Sequence, residues 1–150
     1  MDELKIKHKN LENALKTLSE ALEDLEQLEL QKDTPNLFSG YNKLYKSLRD
    51  SLIQRFEYSV DLFWKYLKKH QENMGVPILE INSPKSALRT ACRNSLLTED
   101  DTELTLKMID SRNLTSHVYK EEFAEILLQQ IPRYYQVMKK YLDKIYPKNN

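Results

Sequence analysis

The sequence has few of the residues that bend or cross-link a chain. Its one cysteine, Cys92, excludes an intrachain disulfide and a multi-cysteine metal centre and fits a reducing compartment. As a lone small apolar residue it is expected on the core side of a helix. Two glycines, Gly40 and Gly75, give too little turn punctuation for a strand-rich fold. No long apolar run is present, so neither a secretory leader nor a membrane span is expected, and the reading is cytoplasmic. Charge favours neither sign, with 23 Lys and Arg against 23 Asp and Glu, which argues against a protein that coats nucleic acid through its overall field. Any contact with RNA must then be local. With no Cys/His cluster, no His-Glu-x-x-His and no Walker loop, neither a metal nor a cofactor is expected.

What the chain does have is charge interleaved with leucine and tyrosine at helical spacing. Its 150 residues fit one domain, 1–150, able to bury a core without a staple, and the pattern throughout is all-α. Leu4, Leu11, Leu15, Leu18, Leu22 and Leu25 make a stripe on a first helix that runs to about Leu30. The near-heptad spacing suits a coiled coil with another chain, but in a domain of this size it more often packs inside its own bundle. Glu20, Glu23, Asp24, Glu26 and Glu29 follow as a solvated face or a surface for a basic partner. Asp33-Thr34-Pro35-Asn36 and Gly40 break the helix, and a second begins near Tyr41. Its buried stripe is Tyr45, Leu48, Leu52, Phe56, Val60, Phe63 and Leu67. Glu57, Asp61, Trp64 and Lys68 lie along one border and Arg55 flanks the other.

The stretch from Met74 to Asn82, with Gly75 and Pro77 among apolar residues, is a crossing loop. Ser83-Pro84 is an N-cap followed by proline at the first helical position, opening a third helix to about Leu96. Lys85, Arg89 and Arg93, four apart, form a basic stripe that suits phosphates, or else a solvated or acid-paired face. Thr98 and Asp101 resemble a capping box, so a fourth helix starts there and delivers Arg112 near its far end. Arg112-Asn113-Leu114-Thr115-Ser116-His117-Val118-Tyr119 then sets a permanent planar cation, a proton-switching imidazole and a phenol close together. Residues five apart on an unbroken helix sit about 140° from each other, so the helix is expected to end between Arg112 and His117. Asn113, Thr115 and Ser116 are the residues to end it. The last helix carries Phe123, Leu127, Ile131, Tyr134, Met138, Tyr141 or Leu142, and Ile145 on one stripe, with Pro132 expected to kink it near Leu128. His8 and His70, at helix ends or exposed positions, receive no role.

The octet from Arg112 resembles the Arg-x4-His-x-Tyr signature of the HEPN proteins. Gln54-Arg55-Phe56-Glu57-Tyr58-Ser59 with Asp61-Leu62-Phe63-Trp64-Lys65 is similar to that family's second-helix motif, and Ser83-Pro84-Lys85 with Arg89 and Ala91 to its third-helix opening. The likeness covers roughly residues 5 to 145, and on it the chain is identified as a member of the nucleotidyltransferase substrate-binding proteins, with the HepT toxins as a related branch. It departs from the pattern at Ser95, where relatives often have glycine, at Thr105, where many have an aromatic, and at Lys120, where a short polar or acidic residue is common.

The resemblance implies an up-and-down bundle of about five helices, a homodimer paired through the motif surface, and a separately encoded minimal nucleotidyltransferase as partner. It implies a nucleotide or RNA ligand held at Arg112 and His117. Around them, Asn113 would hold the phosphate or the imidazole, Glu57 would orient Arg112, Arg55 would be a second cation, and Lys85, Arg89 and Arg93 would follow a phosphate backbone. In the toxin branch the pair works as a metal-independent endoribonuclease, silenced when the partner transfers AMP to the tyrosine that corresponds to Tyr119. Two alternatives stand beside it: a non-catalytic substrate-binding subunit, and a purely structural helical pairing module.

Overall fold

Among the described residues, long runs of helix formers with apolar residues every three or four positions fold as five helices. The computed structural model describes residues 2–32, 38–117 and 121–147, with the backbone alone at 38, 39, 116 and 117. The helices are α1 (Glu3–Leu30), α2 (Phe38–Asn73), α3 (Pro84–Arg93), α4 (Glu99–His117) and α5 (Glu121–Lys144), with a 3₁₀ turn at Ile78–Glu80. No strand occurs among the described residues, and none of their helices is long and apolar enough to cross a membrane.

The two longest helices, α1 and α2, pack along each other, and α5 closes the bundle against both. The shorter α3 and α4 pack on one another and on α2. The leucine stripe of α1 meets Phe56, Val60, Phe63 and Leu67 of α2 and Leu127, Ile131, Met138 and Tyr141 of α5 in one core, joined by Leu88 of α3 and Met108 of α4. Each such side chain contributes about 1.5–3 kcal/mol through burial, and long helices with few internal turns depend on that sum. α5 runs continuously through Pro132, its buried stripe resuming at Tyr134, Val137 and Met138.

Local capping sets where α3 and α4 lie. Ser83 caps α3 with Pro84 at its first position, and Ser86 returns the bond to the Ser83 amide. The helix stops at Arg93, earlier than the apolar pattern suggests. There the Ser95 N–H donates to the Cys92 carbonyl and the Leu96 N–H to the Ala91 carbonyl, with Ser95 at φ 64°. This is a Schellman ending in which serine occupies the left-handed position that glycine usually takes. Thr98 then accepts from the Asp101 N–H at 3.1 Å. Asp101 turns its own carboxylate toward α5, accepting from Lys140 at 2.6 Å and from the Tyr141 hydroxyl. Those bonds outweigh the desolvation that pushes its pKa up, and hold it below the usual aspartate value. Thr105 is fully buried and donates to the Thr102 carbonyl, a small polar residue filling a tight helix contact.

Two sequence-based expectations are corrected here. His8 is neither exposed nor at a helix end; it is buried on α1, bonded through Nε2 to the Leu142 carbonyl at 3.1 Å and set edge-on to Tyr66 and Tyr146. Its fixed partners make it a tie between α1 and the C-terminal end of α5. Cys92 is half-buried, at the border of the core.

Candidate functional site

Arg112 is brought to α2 by the crossing of α4 over that helix. Its Nε donates to Asp61 Oδ1 and its Nη2 to Asp61 Oδ2, each at 3.1 Å, a two-point fit between guanidinium and carboxylate. Glu57, one turn earlier on α2, stands 4.0 Å from Nη1. The acid that orients Arg112 most directly is thus Asp61 rather than Glu57, because α4 crosses α2 level with position 61. Hydrogen bonding to Asp61 raises the Arg112 pKa further, so its positive charge is permanent. The side chain remains 21% exposed, and Tyr58, one turn from Asp61 on α2, is 58% exposed beside it on the helix surface.

The expected helix end between Arg112 and His117 is absent: α4 continues unbroken to His117. Thr115, a capping candidate by sequence, instead donates back to the Arg112 carbonyl at 2.6 Å, the bond that lets a threonine stay within a helix. Positions 112 and 117 therefore lie about 140° apart around one helix. The next described helix, α5, begins at Glu121. Tyr119 and Lys120 lie outside the described residues. Asn113 and Leu114 are exposed on the last turns of α4.

The other predicted cations are not gathered around Arg112. Arg55 donates to the Thr17 carbonyl of α1 at 3.0 Å, on the face of α2 turned away from α4. Lys85 pairs with Asp110 at 2.6 Å, and positions 110 and 112 are about 200° apart on α4. Arg93 donates to Thr90 on its own helix at 2.8 Å, while Arg89 is exposed. The basic stripe of α3 is therefore a separate surface from the Arg112–Asp61 pair within one chain. Among the described residues, no group of three or more His, Cys, Asp and Glu is placed to hold a metal ion.

Residues 6–146 match the model of the family described as nucleotidyltransferase substrate binding protein like. The chain belongs to that family. Its fold is similar to a Thermus thermophilus protein of solved structure, at 31% identity, TM-score 0.61, and 87% coverage of this chain against 99% of the other. It is also similar to HI0074 of Haemophilus influenzae, described as the fold of a substrate binding domain of a nucleotidyltransferase, at 28% identity, TM-score 0.61, and 87% and 97% coverage. At 18% identity it shares its fold, with TM-score 0.62 and 97% and 98% coverage, with a tri-AMPylated Shewanella oneidensis HEPN toxin in complex with MNT antitoxin. No curated protein matches in sequence.

This nucleotidyltransferase substrate-binding-like chain holds a second arginine centre that sequence reasoning missed. Arg49 of α2 is only 2% exposed, and its Nη1 donates to Glu121 at 2.6 Å and to Glu125 at 3.1 Å, while its Nε donates to Asp50 at 3.2 Å. Tyr45 adds a bond to Glu125 at 2.7 Å. The Glu121 bond leads the causes that raise the Arg49 pKa, and the same bond lowers that of Glu121. Burial, followed by the bond to Glu125, raises the Tyr45 phenol. A signal lies in the four-residue spacing of Glu121 and Glu125, which puts both on one face of α5. Taken along the chain alone, an acid at the start of that helix is explained equally well by the helix dipole.

Proposed function

We propose that this chain is the HEPN subunit of a two-component system, binding a phosphate-bearing ligand, nucleotide or RNA, through Arg112 and His117 and working with a separately encoded minimal nucleotidyltransferase. The observation that carries this reading is the Arg112–Asp61 geometry. A permanent cation is fixed at two points by an acid from a neighbouring helix and keeps part of its surface toward solvent. A phosphate oxygen meets an arginine already oriented, so little side-chain entropy is lost on binding. The family match and the fold shared with the HEPN toxin support the same assignment.

The unbroken α4 supports a homodimer as the form that acts. Positions 112 and 117 diverge on one helix, so a cleft using both is completed when a two-fold partner supplies its own copies. The exposed Tyr58 and Leu114 are suited to that interface or to stacking on a base.

A metal-independent endoribonuclease is the sharper form of this reading, favoured by pairing a fixed cation with a helix-terminal histidine. The His117 imidazole takes the proton of a ribose 2′-hydroxyl, and the 2′-oxygen attacks the adjacent phosphorus. Arg112 stabilises the charge building on the phosphoryl oxygens. The 5′-oxygen leaves and takes up a proton, so the products are a 2′,3′-cyclic phosphate and a 5′-hydroxyl. Tyr119 is then the acceptor for AMP from the partner enzyme, and the modified phenol blocks the cleft.

The test is RNA cutting in excess chelator by wild type and His117→Ala, with helicity checked by circular dichroism. Wild-type cutting to cyclic-phosphate ends, lost in the mutant, is expected for the ribonuclease. Nucleotide or RNA binding without cutting, weakened by Arg112→Ala, assigns a non-catalytic substrate-binding subunit. Neither cutting nor binding by the dimer leaves a helical pairing module and overturns the proposal.

A further inference from the structure

Away from Arg112, the second half of α1 and the middle of α5 line an open groove of about 560 Å³, with Tyr45 of α2 also in its wall. Its floor is apolar: Leu22 and Leu25 of α1 face Leu128 and Tyr135 of α5. Its rim on α1 carries Glu23, Glu26 and Glu29, and no described lysine or arginine lines it. Successive acids three apart on a helix repel one another. Other carboxylates that face a neighbouring helix are paired with a cation: Glu121 and Glu125 with Arg49, Asp61 with Arg112, Asp101 with Lys140, Asp110 with Lys85. Glu23, Glu26 and Glu29 form no ion pair with any described residue. The opposite wall adds another acceptor. Pro132 has no N–H to donate, so the Leu128 carbonyl lacks its usual helix partner, and both residues line the groove.

We propose that this groove is the docking site for a cationic amphipathic helix of a protein partner, one that presents lysine or arginine along the border of an apolar stripe. The apolar stripe covers the leucine floor, the aliphatic stems lie along the walls, and the cationic heads meet the α1 carboxylates, which are in no ion pair with a described residue. A polyanion is excluded by the sign of the rim. The groove shares no residue with the Arg112 site, and the proposal does not rest on the function assigned there.

The probe is a fluorescein-labelled helical peptide of leucine and lysine about 14 residues long, roughly 20 Å, with a leucine and glutamate peptide as its counterpart. Binding to the full chain is followed by anisotropy at low salt and at about 0.3 M salt. The expected result is saturable binding of the lysine peptide alone, weakened by salt, and weakened at least about tenfold by the combined Glu23→Gln, Glu26→Gln and Glu29→Gln changes. Glutamine keeps the helix propensity and removes only charge. A control chain with Glu80→Gln, Glu99→Gln and Glu122→Gln should bind as wild type. Equal loss in both triple variants means a diffuse field rather than a groove and overturns the proposal, as does absence of binding. Sedimentation showing that the α1 triple variant splits a wild-type dimer overturns it in favour of a second copy of this chain.

Discussion

Arg49 and Arg112 do opposite things with the same side chain. Both reach across from one helix to carboxylates on another, and both have their charge reinforced by those acids. Arg49 is ringed by Glu121, Glu125 and Asp50 and is almost wholly covered, while Arg112 is gripped along one edge by Asp61 and keeps a fifth of its side chain exposed. The first arrangement commits its donors to tying α2 to the start of α5. The second orients a cation toward solvent. An arginine's role thus depends on how much of its edge the fold leaves accessible, not on whether it forms a salt bridge.

That contrast breaks most clearly in function. Arg112→Ala should lower chelator-resistant RNA cutting by about 10²–10³-fold while shifting the unfolding free energy by no more than about 1 kcal/mol, because its pair is partly exposed. Cutting rates and urea melts on the same preparation check both halves. An Arg112→Ala protein that cuts RNA like wild type removes Arg112 from the site.

Arg49→Ala should do the reverse, with a stability loss of about 2–3 kcal/mol by urea denaturation. That lies below the usual cost of breaking a buried pair because Glu121 and Glu125 are exposed enough to resolvate. Residual cutting below the melting transition should survive. Smaller effects come from the acids that hold Arg112. Asp61→Asn should weaken binding or cutting by about tenfold, and Glu57→Gln, 4.0 Å away, by roughly twofold. Equal effects from the two substitutions would contradict the bidentate geometry.

Asp101 carries the comparison over to a carboxylate gripped by cations. Its folded pKa lies below the usual value, so its contribution is present above the unfolded pKa of about 4 and is lost as pH falls through the folded value. Asp101→Asn should cost about 1 kcal/mol at neutral pH, and the gap to wild type should narrow in melts taken below about pH 4. A gap that stays constant through that range would mean the Lys140 and Tyr141 bonds contribute nothing that depends on ionisation.

Much of the architecture was legible because helices are local. The α1 leucines, the Ser83-Pro84 start and the α5 stripe each follow from spacing within one segment, and they appear where the spacing puts them, with Leu22 and Phe123 only half-buried at the edge of the core. The errors came where a local rule met a tertiary alternative. Thr115 and its neighbours have the chemistry of helix enders, yet a back-bond to the Arg112 carbonyl keeps the helix going. His8 has no local partner to mark it, and gains its place only when the end of α5 closes over it.

The helical class, the order of the elements, the core stripes and the family are all written along the chain, in periodicity or in a motif, and needed no coordinates. Which acid holds Arg112, that Arg49 is a buried tie, that Arg55 serves α1, and that the α3 cations form a separate surface were settled by the packing of the helices. Those outcomes depend on the height at which one helix crosses another, and a shift of a single turn exchanges Glu57 for Asp61 without altering the pattern of either helix.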